Sequence, residues 1–167
     1  MADLLNTIPV RLAIMAHDAH ASIRFASDKW QQNLDAVKRT AALIDLPESD
    51  APSISTGLAN PVQAFDIALL GKIVADVNTP DEAAETDIRQ MVEAVMLYIR
   101  RRPRLAFSNT LTHEAAALGD LAGVIHTTLR RGRVGLVVPE TELPYWGGVI
   151  HCLVDTIEES EEVWVNP

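Results

Sequence analysis

The stretch from Thr79 to Pro103 constrains the fold more than any other part of the chain. Ile88, Met91, Val92, Val95 and Ile99 recur at intervals of three and four, the stripe of an amphipathic helix with one face in a core. Thr79-Pro80-Asp81-Glu82 reads as its start. The Thr79 hydroxyl is placed to accept from the Glu82 amide, the Glu82 carboxylate reaches back to Thr79, and Pro80 fills a first-turn position where no amide donor is needed. Asp81, Glu82 and Glu85 in the first turns and Arg100 to Arg102 in the last complement the helix dipole at both ends. Pro103 ends the helix.

Such a helix needs a layer to cover its apolar face, and strand-like runs lie on both sides of it. In FDIALLGKIVADVN, Phe65, Ile67, Leu69, Ile73 and Val77 fall on one face at period two, with Asp66, Lys72, Asp76 and Asn78 on the other. One long strand is expected, or two with a bend at Gly71, where a bulge is cheap. A competing reading makes residues 61–70 a helix capped by Asn60, with Pro61 in its first turn. Beyond the central helix, GVIHTTL and RVGLVV flank Arg131-Gly132, which reads as a tight hairpin turn, and PETELP is a turn-rich connection. GGVIHCLVDTI is apolar on both faces, as a central strand is.

Ahead of these runs the periodicity is helical. Leu5, Ile8, Leu12, Met15 and Ala19 form one stripe, with Asn6 or Thr7 as cap and Pro9 in the first turn. Trp30, Leu34, Val37, Ala41 and Ile44 form a second, capped by Ser27 or Asp28 and closed by Pro47, so two helices, or one long bent one, are expected to fill the first 46 residues. Residues 47–61 then read as a proline-rich loop, with one short strand around Ile54. The expected architecture is one α+β domain over residues 1–167, with a mostly antiparallel sheet packed by the well-capped helix. Within it lie a helical N-terminal segment over 1–46, a sheet-containing core over 60–160 and an acidic C-terminal tail over 158–167.

Composition excludes several classes. Apolar residues make up 48% and charged residues 22%, the usage of a globular chain rather than a disordered one. No apolar run approaches the roughly 18 residues of a membrane span, and MADLLNTIPVRLA lacks the basic-then-apolar order of a secretory signal. Cys152 stands alone, so neither an internal disulfide nor a multi-cysteine metal site is available, and within VIHCLV it reads as a small buried hydrophobe. The net charge of −9 sets the chain against phosphate backbones. That charge is uneven: Arg100, Arg101, Arg102 and Arg104 cluster, as do Arg130, Arg131 and Arg133, while Asp155, Glu158, Glu159, Glu161 and Glu162 crowd the C-terminal end. Opposite patches of this kind suit head-to-tail contact between copies of one chain.

Motifs that carry chemistry are scarce. His17 and His20 share a helix face with Asp18 between them, but no third ligand follows, and His113-Glu114 lacks a second histidine four residues on. Neither GxSxG, GxxxxGK[ST] nor GxGxxG occurs; residue 66, five before Gly71-Lys72, is Asp66 rather than glycine. No catalytic, cofactor-binding or metal-binding residue is therefore assigned, and an enzyme is not expected. A site near His126 and His151, facing each other across the sheet with Glu142 nearby, is the alternative. Tyr145-Trp146 sit beside Gly147-Gly148 just before the final strand, and Trp164 lies past the acidic run. Aromatics so placed are suited to docking in a partner's pocket. The candidate interface is thus Arg130, Arg131, Arg133, Tyr145, Trp146, Glu161, Glu162 and Trp164.

The order of an N-terminal helix, a long strand of the type FDIALLGKIVADV, a capped helix and paired strands ending in YWGGVIHCLVDTI resembles the tail-terminator proteins of long-tailed bacteriophages. The resemblance covers roughly residues 60–160, and LPYWGG stands where that family commonly carries a loop with an aromatic and small residues. It implies a structural virion protein without catalytic residues or cofactor, assembled in the host cytoplasm. It further implies a hexameric ring that caps the finished tail tube and joins it to the capsid neck, with the tube protein and a neck or connector protein as partners. DNA would pass through the ring without specific binding, and no membrane is involved. The helical first 46 residues are longer than the family leads one to expect. Another head–tail junction or head-completion protein is the neighbouring alternative.

Overall fold

A central strand, a long neighbour on either side and two helices on one face account for the core. The computed structural model describes residues 4–29, 41–45, 62–74, 78, 81–106, 119–138 and 143–157. Its elements are α1 (Leu4–Ala19), β1 (Phe25–Ser27), β2 (Ala41–Asp45), β3 (Val62–Ile73), α2 (Glu82–Arg100), β4 (Val124–Val137) and β5 (Tyr145–Thr156). The sheet order is β1-β2-β3-β5-β4. Among the described strands β1 and β2 run parallel and the other neighbouring pairs are antiparallel, so the expected α+β class with a mostly antiparallel sheet is what forms.

The run FDIALLGKI is a strand, and the helical reading of residues 61–70 fails. Period two decides it: Phe65, Ile67 and Leu69 are at most 1% exposed, between half-buried Asp66 and Ala68. Each such side chain contributes about 1.5–3 kcal/mol by leaving water. The pairing of β3 with β5 shifts register between Leu70 and Ile73, at the glycine where a bulge is cheap.

Both helices pack on the face that carries Phe65, Ile67, Leu69, Ile150, Cys152 and Val154. In α2 the buried residues include Ile88, Met91, Val92, Val95 and Ile99, the stripe read from the sequence. Its cap differs from the expected one. Asp81, not Thr79, is the N-cap; its carboxylate accepts from the Ala84 amide at 3.0 Å, and the helix begins at Glu82. That bond, reinforced by Lys72 at 3.1 Å, holds the Asp81 carboxyl below the usual range. Close seating of α2 depends on Gly148 in β5, where a Cβ would fall 2.7 Å from Val92 Cγ2.

The N-terminal region departs from the expected helices. In α1, Ile8, Leu12, Met15 and Ala16 are fully buried, but the helix is already under way at Leu4. Asn6 and Thr7 therefore lie inside it rather than capping it, and Pro9 sits past the first turn, where its missing amide leaves one carbonyl without a helical donor. The second expected helix is corrected at its end: Ala41 and Ile44 belong to β2, and Phe25–Ser27 forms β1, so residues 1–46 are not uniformly helical. Four consecutive buried residues, Ala41 to Ile44, pack on both faces of the sheet, and both strand and helix periodicities fit such a run. Residues 30–40, the short strand expected near Ile54 and the whole 158–167 segment lie outside the described residues.

The expected hairpin at Arg131-Gly132 is also corrected. β4 runs unbroken through both residues and stays paired with β5 on either side. The two residues mark a bulge: the register shifts between Arg131 and Val134, which absorbs the extra length without reversing the chain. Reversal comes instead between Val138 and Leu143, in the proline-containing connection.

Candidate functional site

Among the described residues, the sheet face opposite the two helices carries a polar row. Cross-strand register aligns Asp45 of β2 with Asp66 of β3, Asp66 with His151 of β5, and His151 with Arg130 of β4. His151 Nδ1 lies 2.7 Å from Asp66 Oδ1, within hydrogen-bond distance. The other edge of the imidazole lies over Gly132, where a Cβ would come within 2.7 Å of Nε2. The β4 bulge thus supplies a notch that receives the ring. With Nδ1–H donated to the carboxylate, Nε2 is the nitrogen left to accept a proton or bond a ligand.

His126 does not join this pair. It stands opposite Asp155, four residues along β5 from His151, or about 13 Å at strand rise. The expectation that the two histidines face each other is therefore corrected; the bulge at Val124–His126 and the register set them apart. Glu142 lies outside the described residues.

The candidate interface residues divide into distinct environments. Arg131 reaches the α2 side and bonds Glu93 at 3.0 Å, with both side chains 60% exposed. Arg130 and Arg133 are exposed on β4, and neither guanidinium has an ion pair or hydrogen bond among the described residues. Tyr145 and Trp146 lie within β5 rather than ahead of it. Tyr145 is buried with Leu43 and Leu70 on the face opposite the two helices, whereas Trp146 packs against the helix-side core with its indole N–H buried and unbonded among the described residues. The β4 alternation explains this split, since Val137 pairs with Tyr145 and Leu136 with Trp146. Glu161, Glu162 and Trp164 lie outside the described residues.

Two further features were not legible beforehand. At the end of α1, Asp18 has both carboxylate oxygens buried with no hydrogen-bond partner among the described residues, beside a cavity of about 270 Å³ lined by Ala13, Ile14, His17, Arg24, Phe25 and Ala26. Burial pushes its carboxyl above the usual range, and His17 and Arg102 act in the opposite direction. Arg102 itself stacks on the Tyr98 ring at 3.8 Å and donates to the Tyr98 carbonyl. The second feature is a cavity of about 390 Å³ at the start of α2, whose polar walls include Arg24, Lys72, Asp81 and Asp87. Cys152 faces the helix side, where burial, with Asp66 behind it, pushes its thiol up to about 12. His20, beyond the end of α1, accepts from the Ser22 amide through Nδ1 at 3.1 Å.

No group of three or more His, Cys, Asp or Glu side chains suited to a metal ion occurs among the described residues, and none of the described helices is long and apolar enough to cross a membrane. Protein-family models, curated proteins and solved structures give no match to the chain.

Proposed function

We propose that this chain is a structural virion protein that forms a ring at the end of a phage tail tube, stops its growth and joins it to the capsid neck. The observation that carries the reading is the connection end of the β4–β5 pair. Val138 and Leu143, on either side of the chain reversal, are each 64% exposed. Two large apolar side chains left exposed at one end of the β4–β5 pair, at the border of the sheet, offer a surface to another polypeptide, such as the tube protein or the neck protein. The succession of N-terminal helix, long strand, capped helix and paired strands supports the same reading, as does an acidic chain past which DNA slides. No catalytic group or cofactor enters this function. Mass measurement of the purified protein, followed by electron micrographs of what assembles on growing tail tubes, tests it. A ring at the tube end, with a mass that is a multiple of 18.3 kDa, is expected. Tubes that lengthen unchecked in its presence overturn the reading.

A second reading rests on the Asp66–His151 pair, whose geometry is that of an oriented general base. A small enzyme or ligand-binding protein is the function it favours. Loss of a bound small molecule or of a turnover on His151→Ala replacement would select it over the first.

A further inference from the structure

β4 is an edge strand fourteen residues long, and its outer backbone groups face no other strand among the described residues. Exposed edges of this length are the usual place where a segment of another chain adds itself. The cations on this edge are not equivalent. Arg131 is occupied by Glu93, whereas Arg130 and Arg133, one on each side of it, are exposed and have no ion pair or hydrogen bond among the described residues. The bulge between Arg131 and Val134 contains Arg133, and bulges re-aim side chains away from the regular alternation. Among the described residues the edge therefore carries two positive charges without an acidic partner, in a chain whose net charge is −9.

The complementary segment is in the same sequence. Residues 158–167, EESEEVWVNP, follow directly on β5 and Ile157; they combine four glutamates with Val-Trp-Val, side chains that favour extended backbone. Ten residues in extended form span about 33 Å, enough to cover most of β4. We infer that the outer edge of β4 receives the 158–167 segment of a second copy of this chain, with Glu161 and Glu162 of that copy against Arg130 and Arg133. This rests on the ring-forming function proposed above and names the contact that builds the ring.

A chain's own segment fits its own edge poorly. Thr156 pairs with Val124, so β5 ends where β4 begins. To cross beneath β4 to its outer side a segment would need about 10 Å, or about three residues, so at strand rise its own Glu161 and Glu162 would reach no further than Ile125 and His126, more than 10 Å short of Arg130 and Arg133. A neighbouring copy is free of that register. A contact in which one copy's edge holds the next copy's segment is head-to-tail, and such contacts close into rings when the rotation allows.

Paired cysteines in the full-length chain test this. In the Arg133→Cys, Glu162→Cys double variant, with oxidised glutathione as oxidant, a reducible ladder of dimers, trimers and larger species is expected on a non-reducing gel, because each copy carries both halves of the contact. The native Cys152 is buried and takes no part. Either single variant should give no ladder. A fast-running monomer closed within itself, an absent ladder, or equal ladders from the single variants would each overturn the inference. The charge-swap companion reads the same contact without cysteines: Arg133→Glu is expected to weaken self-association at least 10-fold, and Arg133→Glu with Glu162→Lys to restore it. Lack of any restoration counts against the assigned partners. Rings at tube ends without the ladder would leave the tail reading standing and remove this contact. A ladder without any effect on tubes would do the reverse.

Discussion

His151 of β5 and Asp66 of β3 are joined at 2.7 Å, directly opposite each other in the strand register, with the imidazole seated on the glycine of the neighbouring bulge. Three strands thus meet at one ring: β3 supplies the carboxylate, β5 the imidazole and β4 the space.

That space is the first point to test. Gly132→Ala places a methyl 2.7 Å from Nε2 and 3.0 Å from the Val149 carbonyl, so ring or strand must shift. Overpacking of this sort costs about 1–3 kcal/mol, and thermal or urea unfolding should show it. Adding His151→Ala to Gly132→Ala should recover part of the loss; an equal loss in both backgrounds would mean the ring is not what the methyl meets.

At Gly148 the conflict is with the helix layer. An added methyl would lie 2.7 Å from Val92 Cγ2, in the middle of the α2 contact. Gly148→Ala should therefore destabilise the fold by about 1–3 kcal/mol, and Val92→Ala in the same chain should offset it in part. Urea titration of the single and double variants decides the matter.

The pattern of legible and illegible features follows from range. The α2 stripe and the β3 alternation were readable because they are local, with every third or fourth residue of α2 and every second residue of β3 facing the core. β2 was not, because Ala41 to Ile44 are buried on both faces and lose the period that tells strand from helix. Arg131-Gly132 carries the composition of a turn, and only pairing with β5, some twenty residues away, keeps it in a strand. The Asp66–His151 pair needs the β3–β5 register, since 85 positions separate its members. Asp18 stood beside His17 and His20 in the sequence, but the cavity next to it is walled in part by Phe25 and Ala26 of β1.

Asp18 also gives stability a pH dependence. Burial raises its carboxyl above the ordinary value, so the folded state holds this proton more tightly than the unfolded state does. Its contribution is fully present below the unfolded value of 3.8 and is lost as pH rises through the raised folded value. Asp18→Asn should remove that loss: relative to the variant, the native chain should weaken as pH climbs from below 4 toward neutrality. Parallel pH-dependent unfolding curves for the two proteins would contradict this.

Cys152 should resist alkylation. Its thiol is buried on the helix side and pushed up to about 12, leaving almost no thiolate at pH 8. Iodoacetamide is expected to modify the native protein only as fast as it unfolds, and the urea-unfolded chain promptly. Rapid native labelling would place the thiol elsewhere.

The irregularity of β4 near Gly132 has a further consequence. It divides a fourteen-residue border into shorter straight lengths, so the border is not one flat template. A guest strand that follows the whole border must bend where the border bends. Such a break works against the flat, open-ended stacking that turns a finite assembly into a fibre.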